Sequence, residues 1–264
     1  MALLPQVGLV AVVSRSVEVV LATCNGARYL HAQLQSLAAQ THRPTRLLLL
    51  DDGSSDGTQA VLEAWQERHP TWVEQLRAPP HRLGPTQAFH RLLQHTQAPY
   101  VALCDQDDIW WPERLATGLK VLQAQETDRT LGRDQPLLLH SDATLIDAAG
   151  VPMPQTLWEW HRVRRQAPSL WRLALRNEVT GCTVICNRAL LKQALPIPEQ
   201  AILHDWWLAL IACRHRGLIR HNTSLLCHRR HGRNASGPRR QGPVERFKSL
   251  NDRLLQWNAV LRHH

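Results

Sequence analysis

Apolar positions along the chain fall into short β-branched runs separated by stretches with a helical period. Residues 17–22 (VEVVLA) carry no 3.6-residue repeat and read as a buried strand, closed by the polar turn Thr23-Cys24-Asn25-Gly26. Leu30, Leu34 and Leu37 then share one face of a helix predicted over residues 28–39. Residues 46–50 (RLLLL) form the next strand and run into Asp51-Asp52-Gly53-Ser54-Ser55-Asp56-Gly57-Thr58, where Asp56 and Thr58 are suited to capping a helix. A helix through Val61, Leu62 and Trp65 stops before Pro70, residues 72–76 form a short strand, and a helix over residues 85–97 buries Phe89, Leu92 and Leu93. Residues 100–104 form a strand ending in Asp105-Gln106-Asp107-Asp108, after which Pro112 opens a helix with Leu115, Leu119 and Leu122 inward.

Alternation of strand and helix at this spacing predicts an α/β fold, a parallel sheet with helices on both faces. In such a sheet ligands bind at the carboxyl ends of the strands. Three polar clusters fall there: residues 23–26, 51–58 and 105–108. The second half is less regular. Strands are predicted over 137–147, 179–186 and 218–227, and helices near 188–194 and from His204. Residues 152–178 hold Trp158, Trp160, Trp171 and five arginines without a clear period. Residues 228–243 form a basic Gly/Pro loop, and Phe247, Leu250, Leu254, Trp257 and Leu261 mark a terminal amphipathic helix. The expected division is a body over 1–240, with a first half over 17–147 and a second over 148–240, followed by the helix of 241–264.

Charge changes this picture. Residues 1–150 carry 12 basic and 16 acidic side chains, a balance of −4, whereas residues 151–264 carry 19 basic and 6 acidic, a balance of +13. The basic half suggests an anionic partner: nucleic acid, a lipid surface or a diphosphate. Acidic loops gathered at strand ends argue against a simple nucleic-acid binder and for a divalent cation. None of the six cysteines forms a CxxC pair, which favours buried thiols over a metal framework. No apolar run approaches the ~18–20 residues of a membrane span, and residues 1–13 read as an apolar extension without a basic leader.

Four constellations carry candidate chemistry. Asp105 and Asp107, one residue apart in a turn, can converge on Mg²⁺ or Mn²⁺, with Asp108 left to cap the following helix. Asp51 and Asp52 can accept hydrogen bonds from a base or ribose. Asp205, in His204-Asp205-Trp206-Trp207, is either a helix N-cap or a desolvated general base. His228-Arg229-Arg230-His231-Gly232-Arg233-Asn234 is either a solvated basic loop or a clamp on phosphates.

Taken in order, Ala22-Thr23-Cys24-Asn25-Gly26, the loop Asp51–Thr58 and Cys104-Asp105-Gln106-Asp107-Asp108-Ile109-Trp110 resemble family 2 glycosyltransferases of the GT-A fold. His140-Ser141-Asp142, Thr180-Gly181-Cys182, His204-Asp205-Trp206-Trp207 and Arg229-x-His231-Gly232-x-Asn234 resemble the rhamnosyltransferase-type branch of bacterial envelope polysaccharide assembly. The resemblance spans roughly residues 17–240 and implies a Rossmann-like, mostly parallel sheet. It further implies an inverting, metal-dependent transfer of a sugar from a nucleotide-sugar donor, dTDP-rhamnose or a UDP-sugar, to a saccharide or lipid-linked acceptor. Thr23, Asn25, Asp51 and Asp52 would hold the nucleoside. Asp105 would contact ribose or metal, Asp107 and His231 the metal, Arg229 the diphosphate, and Asp205 would be the catalytic base. The branch usually has Tyr-Arg-Gln-His where this chain has His228-Arg229-Arg230-His231, and the Trp-rich stretch 152–178 has no counterpart in it.

Two other readings stay open: a nucleotidyltransferase that makes the sugar nucleotide, and a non-catalytic protein for anionic ligands. The first would want a Gly-rich, Lys-containing phosphate loop, and residues 23–29 hold one glycine and no lysine. The second leaves the acidic loops without a task. The implied location is cytoplasmic. The terminal helix is expected to pack its stripe on the body, leaving Arg246, Lys248, Arg253 and Arg262 to meet the anionic inner face of a membrane.

Overall fold

The computed structural model describes residues 16–127, 134–164, 168–232 and 243–263, the stretch 243–250 as backbone. Its first half follows the predicted alternation: β1 (Val17–Thr23), α1 (Ala27–Ala38), β2 (Arg46–Asp51), α2 (Thr58–Arg68), β3 (Val73–Gln75), α3 (Gly84–Gln94) and β4 (Tyr100–Cys104). These strands pair in parallel in the order β3-β2-β1-β4. Successive side chains of a strand point to opposite faces, so each apolar run feeds two cores. Val19, Leu21, Leu47, Leu49 and Ala102 enter the core shared with α1 and α2, while Val20, Leu48, Leu50, Val101 and Leu103 enter the one shared with α3. Covering on both faces explains why the strands read as unbroken apolar runs.

The second half extends the sheet with antiparallel pairs. The elements are β5 (Ile109–Trp110), α4 (Arg114–Glu126), β6 (Leu138–Ile146), β7 (Pro152–Thr156), α5 (Leu157–Trp160), α6 (Leu170–Leu175), β8 (Val184–Asn187), α7 (Arg188–Ala194), α8 (His204–Arg214), β9 (Leu218–Arg229) and α9 (Pro243–Arg262). β8 lies antiparallel to both β4 and β6, β9 lies parallel to β6, and β5 closes the edge against β9. The parallel half thus meets the mixed half at β4/β8. The loop after β4 and the turn before β8 both open at that junction.

Several expectations are corrected. The helix expected from Pro112 begins at Arg114, because the Arg114 amide closes a turn onto Trp111 O at 3.0 Å while Pro112 O accepts from Thr41 N at 2.9 Å. The strand expected over 179–186 begins only at Val184. Gly181–Thr183 is a 3-10 turn, held by the amide and hydroxyl of Thr183 on Thr180 O at 2.9 and 2.7 Å. The unperiodic stretch 152–178 contains β7, α5 and α6, each too short for a pattern to emerge. α5 is fixed by a capping box in which Thr156 and Glu159 satisfy each other's backbone amides.

α8 carries nine buried residues in succession, His204 to Ala212, so no polar face marks it in the sequence. α9 leans on this buried helix. Gln256 and Val260 are fully buried, and Gln256 Oε1 accepts from Ile202 N at 2.8 Å. The expected stripe is only partly inward: Trp257 packs half-buried against the core, whereas Leu254 is 54% exposed and Leu261 51%. Phe247, Leu250, Arg246 and Lys248 have side chains outside the described set, as do residues 1–13 altogether.

Candidate active site

The loops after β1 and β2 are zipped together through their own polar atoms. Asn25 N donates to Ser54 Oγ at 2.8 Å, and Ser55 N donates to Asn25 Oδ1 at 2.8 Å. Gly26 N donates to Thr58 Oγ1 at 2.9 Å, and Ala27 N to Asp56 Oδ2 at 3.2 Å. Asp56 also receives Thr58 N at 3.1 Å, so it serves two helix starts. Thr58 itself caps α1, not the α2 it begins. Asn25 adopts φ +53, the left-handed region in which an asparagine is among the better-tolerated residues. Thr23 donates to Asp51 Oδ1 at 2.7 Å, and Asp51 also receives Ser54 N and Oγ. Asp52 accepts Leu83 N and Gly84 N at 2.6 and 2.9 Å, satisfying amides at the start of α3. All four residues expected to hold a nucleoside thus sit on one rim, each with a hydrogen bond that shapes it.

The loop after β4 packs on this rim. Gln106 pairs with Cys24 as a strand neighbour would, accepting from its amide at 2.8 Å and donating to its carbonyl at 3.1 Å. A Cβ at Gly26 would lie 2.2 Å from Gln106 Oε1, so that position admits only glycine while this pair is in place.

The three carboxylates of this loop have separate fates. Asp108 is buried and does not cap a helix: it accepts His228 Nδ1 and Arg229 N, each at 3.0 Å. The expected cap is overturned because β9 delivers two donors that sequence spacing does not reveal. Burial works against the charge of His228, but the Asp108 carboxylate outweighs it and raises the pKa to about 9. Burial would raise Asp108, and the His228 charge holds it below the usual range. Asp107 Oδ2 meets His231 Nε2 at 2.7 Å. Burial, then the neighbouring Asp108, raises Asp107, and burial with both neighbouring carboxylates raises Asp105 well above its ordinary value. Crowded carboxylates with an imidazole nitrogen suit a divalent ion, whose charge would relieve that repulsion. Among the described residues, a different trio has ligand atoms all within 4.8 Å of one another: Asp108, Cys182 and His228, buried and already bonded among themselves.

Arg229 is 5% exposed, and its guanidinium donates to Asp107 O at 2.9 Å and Asp147 O at 3.3 Å. It straps the acidic loop to the end of β6. Tyr29, which sequence reasoning missed, is the platform beneath this strap: Arg229 lies 4.7 Å over its ring and His231 stacks on it at 5.1 Å. Its only sequence signal is an aromatic in the first turn of α1. Arg233 and Asn234 lie outside the described residues.

A cavity of about 290 Å³ opens at the β4/β8 junction. Asp105 and Asp205 both line it, with Phe89, Trp158, His161 and His204 among its other walls. Trp158 and His161 belong to the stretch that had no counterpart, and they were not foreseen as site residues. Trp158 is held by its amide on Asp142 Oδ1 at 3.0 Å. Asp205 lies within the first turn of α8, whose N-cap is Leu203. Its Oδ1 accepts Trp206 N at 2.6 Å and the Asn177 amide at 3.4 Å. Burial raises its pKa to about 6 against these bonds. A buried carboxylate titrating there can take up a proton near neutrality.

Residues 18–133 match the family model described as Glycosyl transferase family 2. Over those residues the chain is similar to family 2 glycosyltransferases. The "Uncharacterized glycosyltransferase alr2836" of Nostoc sp. is 27% identical over 170 residues, covering 62% of this chain and 51% of that protein. The "Putative teichuronic acid biosynthesis glycosyltransferase TuaG" of Bacillus subtilis is 26% identical over 202 residues, covering 74% and 71%. Among solved structures, S. aureus TarS 1-349 in complex with UDP-GlcNAc superposes with a TM-score of 0.63 at 17% identity, covering 91% of this chain and 66% of that one. The mannosyltransferase PcManGT from Pyrobaculum calidifontis, in complex with GDP-Man and Mn²⁺, gives 0.61 at 19%, covering 94% and 64%. These likenesses show the GT-A fold. The chain spans about half the length of the Nostoc relative. Asp205, in α8, and His231, just past the end of β9, lie outside the matched residues.

Proposed function

We propose that this protein transfers a sugar from a nucleotide-sugar donor to a hydroxyl acceptor, with inversion at the anomeric carbon. The observation that carries the reading is the single cavity bounded by Asp105, from the acidic loop after β4, and Asp205, a buried carboxylate with its pKa near 6. The rim formed by Thr23, Asn25, Asp51 and Asp52 would receive the nucleoside. Asp107 and His231, with Asp105 beside them, would hold Mg²⁺ or Mn²⁺ against the diphosphate. A divalent ion bound there supplies neutralisation of the charge that develops on the leaving diphosphate. Asp205 accepts the proton of the attacking hydroxyl, and a single displacement then inverts the centre. Arg229, through its bonds to Asp107 O and Asp147 O, keeps the acidic loop in place for this step.

The donor we favour is dTDP-rhamnose or a UDP-sugar, on the residues resembling the rhamnosyltransferase-type branch. A role in polysaccharide synthesis is supported by the similarity to the Bacillus putative teichuronic acid biosynthesis glycosyltransferase, and the acceptor we favour is a saccharide or lipid-linked one met at the inner face of a membrane. The test is donor hydrolysis and transfer with dTDP-, UDP- and GDP-sugars, with and without Mn²⁺. The expected outcome is turnover of one donor class that EDTA abolishes and that Asp107→Ala removes without lowering the melting temperature. Full activity in excess EDTA would refute the metal assignment.

A further inference from the structure

We infer that His204 determines sugar specificity: it holds a hydroxyl group of the transferred sugar inside the cavity between Asp105 and Asp205. This rests on the glycosyl-transfer reading above and goes beyond it by naming the residue that reads the sugar.

His204 is the first residue of α8, 6% exposed, and lines the cavity. Its ring lies flat on Phe89, with centroids 4.0 Å apart and planes 15° from parallel, so the plane of the ring is fixed. Among the described residues, neither Nδ1 nor Nε2 has a hydrogen-bond partner. Burying a polar ring without partners is destabilising. Phenylalanine would stack on Phe89 without that penalty, so packing gives no reason for a histidine. Burial lowers the pKa of His204 to about 3, which leaves the ring neutral at any working pH. A neutral imidazole offers one N–H and one lone pair. That pairing matches a hydroxyl group, which both donates and accepts.

Gly181 gives the direction. A Cβ at that position would lie 3.2 Å from His204 Nε2 and 3.5 Å from Asp205 Oδ2. Two polar atoms from consecutive residues therefore border the same opening, and the missing side chain keeps it open. Phe89 and Trp158 add apolar walls for the C–H faces of a pyranose ring, while the few polar atoms fix its orientation. Asp105 sits in the same cavity at the end of β4. A sugar attached to a diphosphate held by the acidic loop would enter between it and His204.

The experiment compares wild type with His204→Phe, which keeps the stack on Phe89, and His204→Gln, which restores a polar group near Nε2. Each is given UDP-GlcNAc, GDP-mannose and dTDP-rhamnose with Mn²⁺; donor turnover, affinity for the matching nucleoside diphosphate and melting temperature are measured. The expected result is a fall in kcat/KM of roughly 10–100-fold for the preferred donor in His204→Phe. The preference among donors should narrow, His204→Gln should recover part of the loss, and melting temperature and diphosphate affinity should stay at wild-type values. Unchanged kcat/KM and donor preference in His204→Phe overturns the inference. So does a fall in melting temperature and diphosphate affinity in both variants, which would make the histidine structural. Wild type that turns over none of the three donors, whether or not it binds their diphosphates, removes the transfer reading and this inference with it.

Discussion

Asp205 combines a structural task with the proton-accepting one proposed for it. Its Oδ1 satisfies the Trp206 amide in the first turn of α8, a service any short polar acceptor could give. Burial meanwhile raises its pKa to about 6, which only a carboxylate can use for proton transfer. Asparagine ranks with aspartate as a helix-start acceptor, so Asp205→Asn separates the two tasks. It should keep the fold and donor binding and lose transfer by roughly 10²–10⁴-fold. The sign of the pH dependence follows from the raised value. Asp205 must be ionised to accept a proton, so kcat should climb as pH rises through about 6. A pH–rate profile with its acid limb near 4, the ordinary carboxylate range, would remove Asp205 from that role.

At the scale of elements, the contact that assembles the site is the end of β9 on the loop after β4. Asp108 and His228 form a buried ion pair there, while Arg229 reaches carbonyls on two loops. The folded pKa of His228, about 9, lies above its unfolded value near 6.5. Its contribution to stability is therefore fully present below about pH 6.5 and is lost as pH rises through about 9. The magnitude is on the order of 3 kcal/mol. Denaturant midpoints measured from pH 6 to pH 9.5 should fall across that window, and His228→Gln should flatten the fall while lowering stability at pH 6. A flat wild-type profile would mean that His228 is neutral when folded. The same contact explains why Asp108 reads as a helix cap in the sequence. Its partners stand 120 and 121 positions away, and no local pattern connects them.

Over the whole molecule, the basic second half and the exposed apolar residues fall near each other. Trp171 of α6 is 60% exposed, and with Leu254, Trp257 and Arg253 of α9 it lines a shallow groove. α6 ends at Leu175, two residues before Asn177 in the cavity wall, so this surface adjoins the route by which an acceptor would arrive. None of the described helices is long and apolar enough to cross a membrane. The attachment expected from the basic second half is weak and electrostatic, each basic side chain near an anionic surface contributing about 1 kcal/mol. Co-sedimentation should show pelleting with anionic vesicles, none with neutral ones, and release at high salt. Absence of pelleting at low salt would leave an enzyme that meets its acceptor by diffusion.

The hydrophobic period by itself determined β1 to β4 with their intervening helices, and hence the parallel half. Burial on both faces leaves short apolar runs, and the polar turns that bound them mark them as strands. It also located the acidic loop, because a polar turn after a buried strand can only lie at the sheet's edge. The terminal helix was legible as a helix, but its inward face only in part: Trp257 packs on the core and Leu254 and Leu261 are exposed, while Gln256 and Val260 are buried. That choice depends on the shape of α8, which carries no polarity to read. The same holds for the site. Asp105 and Asp205 were visible as motifs, yet their sharing of one cavity comes from β8 pairing with β4, a contact about 85 residues apart in sequence. Tyr29, Trp158 and His204 acquire their positions only there, because stacking and burial are properties of neighbours brought together by the fold.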